Sequence, residues 1–370
     1  MKDEREHLRL FDLIAREWDL PAPAMRVAFN RSGTAVAFDC LDGSIHLAAT
    51  ADKASPGSRI RRAADTGRLT ISPRMTPVPP LRIAEFAAGR SSPVVPLGEQ
   101  NFAFAKGNGR VNMLTPGGTS VHLAARAEGG IDALAATPDG DTLAFACGAG
   151  IHVGPASAAP AFVLDAPGPV TALAFSPDGE TLAAAHAAGL WRWTVAAPDR
   201  PPQVTELSAP PQALTWRDDG AWLLCCLGAG GIALIDMRTG TATSHGNFPA
   251  PVTSASFSAP TDTVIASGAF RLAGWSLADS PQTDVTTGKA GLVPVDAVAA
   301  CPARNLAAVG YANGLLSFAE IGRRDEILLR EDTGAGITAL AFSPDGNFLA
   351  LAGSDGSAAL VEFPAGMFKS

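Results

Sequence analysis

Along this chain, apolar and polar positions alternate in short runs, each broken by Gly, Pro or Asp before it is long enough for a helix. In VTALAFSPDGETLAAAHAAGLWRWTV (170–195), Val170, Ala172, Ala174 and Ser176 alternate with Thr171, Leu173 and Phe175, a period of two that marks a strand buried on both faces. Ser176-Pro177-Asp178-Gly179 then predicts a reversal. Pro presets φ, Asp bonds the local backbone, and Gly takes the position that needs positive φ. A second strand, TLAAAH, a Gly-containing turn and a third strand follow.

The unit recurs as ITALAFSPDGNFLALAGSDGSAALVEF (337–363), with weaker copies opening at 131, 211, 252 and 295 and another over 25–50. The starts at 131, 170, 211, 252, 295 and 337 are spaced by 39, 41, 41, 43 and 42 residues. A period near 40–45 is that of a four-stranded propeller blade. The fourth strand falls in the variable spacer, for example AFVLDA at 161–166.

These residues resemble the WD-repeat family, in which a strand, an SPDG-like turn, a second strand, a DG turn and a strand ending in Trp-Asp recur. The resemblance covers roughly 25–50 and 131–363 and implies an all-β, single closed β-propeller that binds proteins. No copy ends in Trp-Asp; Trp193-Thr194, Ile235-Asp236, Trp275-Ser276, Phe318-Ala319 and Val361-Glu362 stand there instead. The Gly-His pair that precedes the first strand in the family is also missing. The family's polar staples are therefore mostly absent, which leaves apolar packing to join the blades.

Seven copies are visible, and SPVVPLGEQNFAFAKGNGRVNMLTP (92–116) supplies an eighth with a weak first strand. Eight four-stranded blades are expected, or seven if 92–116 is an elaborated loop. The last copy stops near Phe363 with no room for a fourth strand. An open ring would expose sheet edges. The segment Ile14–Leu20, with Ile14, Arg16, Trp18 and Leu20 on one side, is expected to pair with the last blade and close the circle. A helix through Leu10, Ile14 and Trp18 competes for the same residues, unless it ends before the strand begins. The predicted organisation is an N-terminal segment over 1–24 and a propeller over 25–370.

Composition narrows the function. A net charge of −8 argues against a general nucleic-acid surface. No uninterrupted apolar stretch of membrane-spanning length occurs, and MKDEREHLRLFDL is too charged for a secretory signal. Five cysteines, two of them adjacent, form no disulfide framework. These features predict a cytoplasmic protein, and the Ala and Arg bias a bacterial one.

The segment expected between the first and second blades, about 51–93, is the least repeat-like and carries eight basic and three acidic residues, a net +5 that leaves −13 for the rest. Arg59, Arg61, Arg62, Arg68 and Arg74 are the candidate docking residues, because guanidinium forks suit the carboxylates of an acidic partner surface. The bland reading is a solvated loop. Aligned second strands place Cys40, Cys147 and His186 in one column, a zinc-type donor set. Equivalent positions on separate blades diverge, however, so small core residues explain the column better. Nucleophile elbows, P-loops and HExxH are absent. Asp132 and Asp296 are the carboxylates nearest to the start of an inner strand. The resulting expectation is a non-enzymatic platform for protein partners, without cofactor. The alternatives are a hydrolase or lactonase with a channel site, and a metal-handling accessory protein.

Overall fold

The computed structural model describes residues 9–62, 69–84, 93–105, 108–187, 189–278, 282–364 and 367. Eight antiparallel sheets follow one another around a ring. Blade 1 comprises Ala24–Phe29, Ala35–Cys40, Ile45–Ala49 and Arg82–Ala84, and blade 4 comprises Val170–Phe175, Thr181–His186, Gly189–Thr194 and Gln203–Thr205. Blades 2, 3, 5 and 7 span 95–126, 133–165, 213–245 and 295–330. In blade 6, Ala255–Ser258, Thr263–Ala266 and Ala273–Ser276 form the sheet, and an isolated bridge of Asp284 with Trp275 marks the fourth place. The first strands of neighbouring blades meet around the centre, and the fourth strands lie at the rim.

Ring closure follows the sequence expectation. A short helix, α1 (Leu10–Ile14), leads into strand β1 (Ala15–Asp19), which completes blade 8 by pairing with Ser357–Glu362. Ala15 lies opposite Val361 and Asp19 opposite Ser357. Helix and strand thus share the segment, one after the other. Ile14, Arg16 and Leu20 are buried while Glu17 and Asp19 are exposed, in keeping with the alternation.

Segment 92–116 belongs to a true blade, in which Val95–Leu97, Asn101–Ala105, Arg110–Leu114 and Ser120–Arg126 form a complete sheet. Its first strand is short, and Pro96, lacking an N–H, explains the weak signal there.

The core lies between blades. Second strands are enclosed on both faces, and all six residues of Ala35–Cys40 are buried. Small residues such as Ala183, Ala184 and Ala185 let neighbouring sheets approach closely. Between blades 3 and 4, Ile151, Val153, Val170, Leu182 and Trp193 form one apolar cluster.

The recurrent turn is built locally. Ser176 Oγ donates to Asp178 Oδ1 and accepts from the Thr181 amide at 2.9 Å, while Asp178 Oδ1 also accepts from the Glu180 amide at 2.9 Å. Gly179, at φ +73°, makes the reversal that a side chain would strain. Thr137–Asp139 and Ser343–Asp345 repeat the arrangement.

Hydroxyls on inner strands add a link that the sequence reading did not anticipate. Thr171 Oγ1 donates to Pro211 O at 3.0 Å, Thr253 Oγ1 to Asp296 O at 2.9 Å, and Thr338 Oγ1 to Ala24 O at 2.5 Å. Each bond crosses from one blade to the next. Among the described residues, no helix is long and apolar enough to cross a membrane.

Candidate interaction surface

Antiparallel strands send the first turn of every blade and the connection between its third and fourth strands to the same face of the ring. The Arg-rich segment emerges on this face, between the third and fourth strands of blade 1. The sequence reading placed it between blades 1 and 2; in the structure Arg82 already belongs to the fourth strand of blade 1. The insertion comprises a 3-10 turn, Gly57–Arg59, and a two-stranded hairpin of Ile60–Arg62 with Leu69–Ile71. A passage without regular secondary structure through Pro77, Pro79 and Pro80 returns it to the blade.

The candidate arginines divide into two groups. Arg61 and Arg62 are exposed on the first strand of the hairpin. Arg59 turns inward, donating to Ala54 O at 3.0 Å, Ser72 O at 2.5 Å and Leu13 O at 2.6 Å. Arg74 holds Asp52 with two bonds to Oδ2, from Nη1 at 3.1 Å and Nη2 at 2.6 Å. Arg68 lies outside the described residues.

Asp52 also faces Arg16 of β1, with Nε at 3.8 Å, in a setting where the Asp52 and Arg16 side chains are only 5% and 6% exposed. Burial lowers the Arg16 guanidinium from its ordinary value, and Asp52 opposes that shift. Burial raises the nearby Glu362 carboxyl above the usual carboxylate range, against the pull of Arg16. Three arginines and two carboxylates therefore crowd the junction of blade 1 with blade 8.

On the same face, a groove of about 870 Å³ is lined by Arg304, Leu306, Phe318, Arg323, Asp325 and Ile327 of blade 7. Leu306 and Phe318 belong to the apolar cluster that contains Phe11 and Ile14 of α1, and Ile71 of the insertion packs against it. Groove, helix and insertion thus form one sector.

Cys40, Cys147 and His186 end second strands in blades 1, 3 and 4, so the column does not converge. Among the described residues, no group of three His, Cys, Asp or Glu could hold a metal ion. Burial pushes the Cys40 thiol up to about 11, and His186, lowered by burial, meets the Trp191 ring edge-on at 5.4 Å. Cys225 and Cys226 are fully enclosed, with the Cys226 thiol raised to about 12 by burial. Asp132 accepts from the Gly148 amide at 3.3 Å, as a turn carboxylate does, and burial raises the Asp296 carboxyl.

Two polar networks escaped the sequence reading. In blade 1, Ser44 Oγ donates to Asp42 at 2.7 Å and lies 3.0 Å from His46 Nε2. In blade 7, Glu326 accepts from Tyr311 at 3.1 Å and from Ser317 at 2.7 Å. Both sit inside a blade and brace it.

Fold and surface together define the class: an eight-bladed β-propeller built from repeats, with an elaborated sector on one face. Two of its segments, residues 159–191 and 327–360, match the family model described as WD domain, G-beta repeat. Comparison with curated proteins finds no sequence match. A solved structure of the computationally designed Ika8 protein is similar, with 17% identity, a TM-score of 0.64, and coverage of 93% of this chain and 98% of that one. A chain in the crystal structure of the mitotic checkpoint complex shares 17% identity at a TM-score of 0.60, covering 94% of this chain and 91% of that one. The RRP9 WD40 repeats share 14% identity at a TM-score of 0.55, covering 94% and 97%. At these identities the likeness is one of fold.

Proposed function

We propose that this propeller is a non-enzymatic platform for protein partners in a bacterial cytoplasm, and that the docking sector is the face bearing the insertion. The observation that carries the reading is the outward placement of Arg61 and Arg62 on a hairpin that the flanking Arg59 and Arg74 anchor. A rigid ring consumes its strands in packing and leaves loops to recognise partners. Two exposed guanidinium groups on a molecule of net charge −8 favour an acidic patch on the partner.

The test begins with affinity purification and mass spectrometry to identify a partner, followed by titration with the purified proteins. Arg61→Glu with Arg62→Glu should weaken binding at least tenfold, and added salt should weaken wild-type binding. Unchanged affinity in the double variant would remove the hairpin from the docking surface.

A further inference from the structure

The inward arginines and their neighbours share a direction: they reach the N-terminal segment that closes the ring. Arg59 Nη2 donates to Leu13 O at 2.6 Å, in the last turn of α1, where carbonyls lack helical partners. The same guanidinium donates to Ala54 O and Ser72 O, so it binds both arms of the insertion to the helix end. Asp52 takes the two bonds from Arg74 and faces Arg16 of β1, and Arg16 in turn donates to Thr50 O at 3.0 Å. Beyond the hairpin, Trp18 Nε1 of β1 donates to Pro79 O at 2.8 Å. Ile71 adds an apolar contact to the cluster of Phe11 and Ile14.

Strand β1 needs such support. It lies at the rim of blade 8 and, among the described residues, pairs with one neighbour, Ser357–Glu362. A rim strand held by one ladder is the part of a sheet most readily lost. Through residues 20–23 it also leads into the first strand of blade 1. If β1 leaves, blade 8 loses a strand and the ring loses its closure.

We infer that the insertion of blade 1 is a strap that fastens β1 from outside, with Arg59, the Arg74–Asp52–Arg16 chain and the Pro79 carbonyl as its three attachment points. The strap crosses the one junction where the end of the ring meets its beginning. It depends on closure geometry alone and stands whether or not Arg61 and Arg62 dock a partner.

Hydrogen exchange read by mass spectrometry on the full chain tests this. Arg59→Ala and Asp52→Asn should each speed exchange over residues 10–20 by about tenfold or more, the scale expected for losing a hydrogen bond to a charged group. Peptides from blade 4 should match wild type, and the control Arg61→Ala should match it everywhere. Trp18→Phe, which keeps the ring and loses the N–H donor, gives a milder variant should Asp52→Asn fail to fold, with faster exchange again confined to 10–20. Wild-type exchange over 10–20 in Arg59→Ala and Trp18→Phe would overturn the inference. So would acceleration spread evenly over all blades, which would make the insertion a general stabiliser.

Discussion

The junction between blades 3 and 4 and the junction between blades 8 and 1 share one packing plan and differ at the rim. Between blades 3 and 4, Ile151, Val170, Leu182 and Trp193 interdigitate in an apolar layer. Between blades 8 and 1, Phe29, Val36, Phe38, Ala350 and Leu360 do the same. The closing junction adds buried charge: Arg16 from one blade reaches Asp52 from the other, and Arg74 completes the chain. Where blade follows blade along the chain, apolar layers and inter-blade hydroxyl bonds such as that of Thr171 with Pro211 O join the sheets. Where the ring must close on a single rim strand, directional bonds specify which strand belongs there.

The largest test of this contrast is Asp52→Ala, which leaves Arg16 and Arg74 buried without their carboxylate. Breaking a buried pair from one side costs roughly 3–5 kcal/mol, to be read as a lower midpoint in denaturant unfolding. Leu182→Ala, at a fully buried position of the ordinary junction, should cost about 3 kcal/mol by lost burial and a residual cavity. If Asp52→Ala costs much less than Leu182→Ala, the charged chain adds nothing to closure.

A smaller pair of variants sharpens what the junctions share. Thr171→Val and Thr338→Val each remove one inter-blade hydroxyl bond, at the junctions of blades 4 with 5 and 8 with 1. Each should cost about 1 kcal/mol, and the two should agree. A much larger loss at Thr338 would mean that the closing junction depends on its inner strand as well as on the strap.

The smallest effects concern pH, and they run in opposite directions. The hydroxyl of Ser176 and the Glu180 amide hold the Asp178 carboxyl below the usual range. Its stabilising contribution is present above about pH 4 and fades as pH falls through the lowered native value. Glu362 is raised by burial, so its contribution is present below about pH 4 and is lost as pH rises through the native value. Glu362→Gln should therefore raise the melting temperature at pH 7 and leave it unchanged at pH 3. Ser176→Ala should lower the melting temperature more at pH 7 than at pH 3.

Blades were legible in the sequence because their chemistry is local. The Ser176–Asp178–Gly179 turn closes within a few residues, and the strands around it keep a period of two. Blade 2 was fainter because Pro96 interrupts its first strand. The closing strand was legible by elimination, since the last copy lacked a fourth strand and Ile14–Leu20 alternated correctly.

The roles of the insertion were not legible in the sequence. Arg59 and Leu13 are separated by 46 positions, Trp18 and Pro79 by 61, and no periodicity connects them. By composition alone, Arg59 and Arg74 are indistinguishable from Arg61 and Arg62; contact geometry separates them. The networks of Ser44 with His46 and Glu326 with Tyr311 were missed for a related reason, because their residues stand at positions no motif marks.

The central claim is that the N-terminal strand occupies the rim of the last blade. The double variant Asp19→Cys with Ser357→Cys, at positions that lie opposite each other, tests it when the protein is oxidised and its disulfide mapped by peptide mass spectrometry. The account predicts a near-complete intramolecular bond between positions 19 and 357 in folded protein. It predicts none in the control that combines Asp19→Cys with Thr205→Cys, at the rim of blade 4. Failure of positions 19 and 357 to link while the protein remains folded would contradict it.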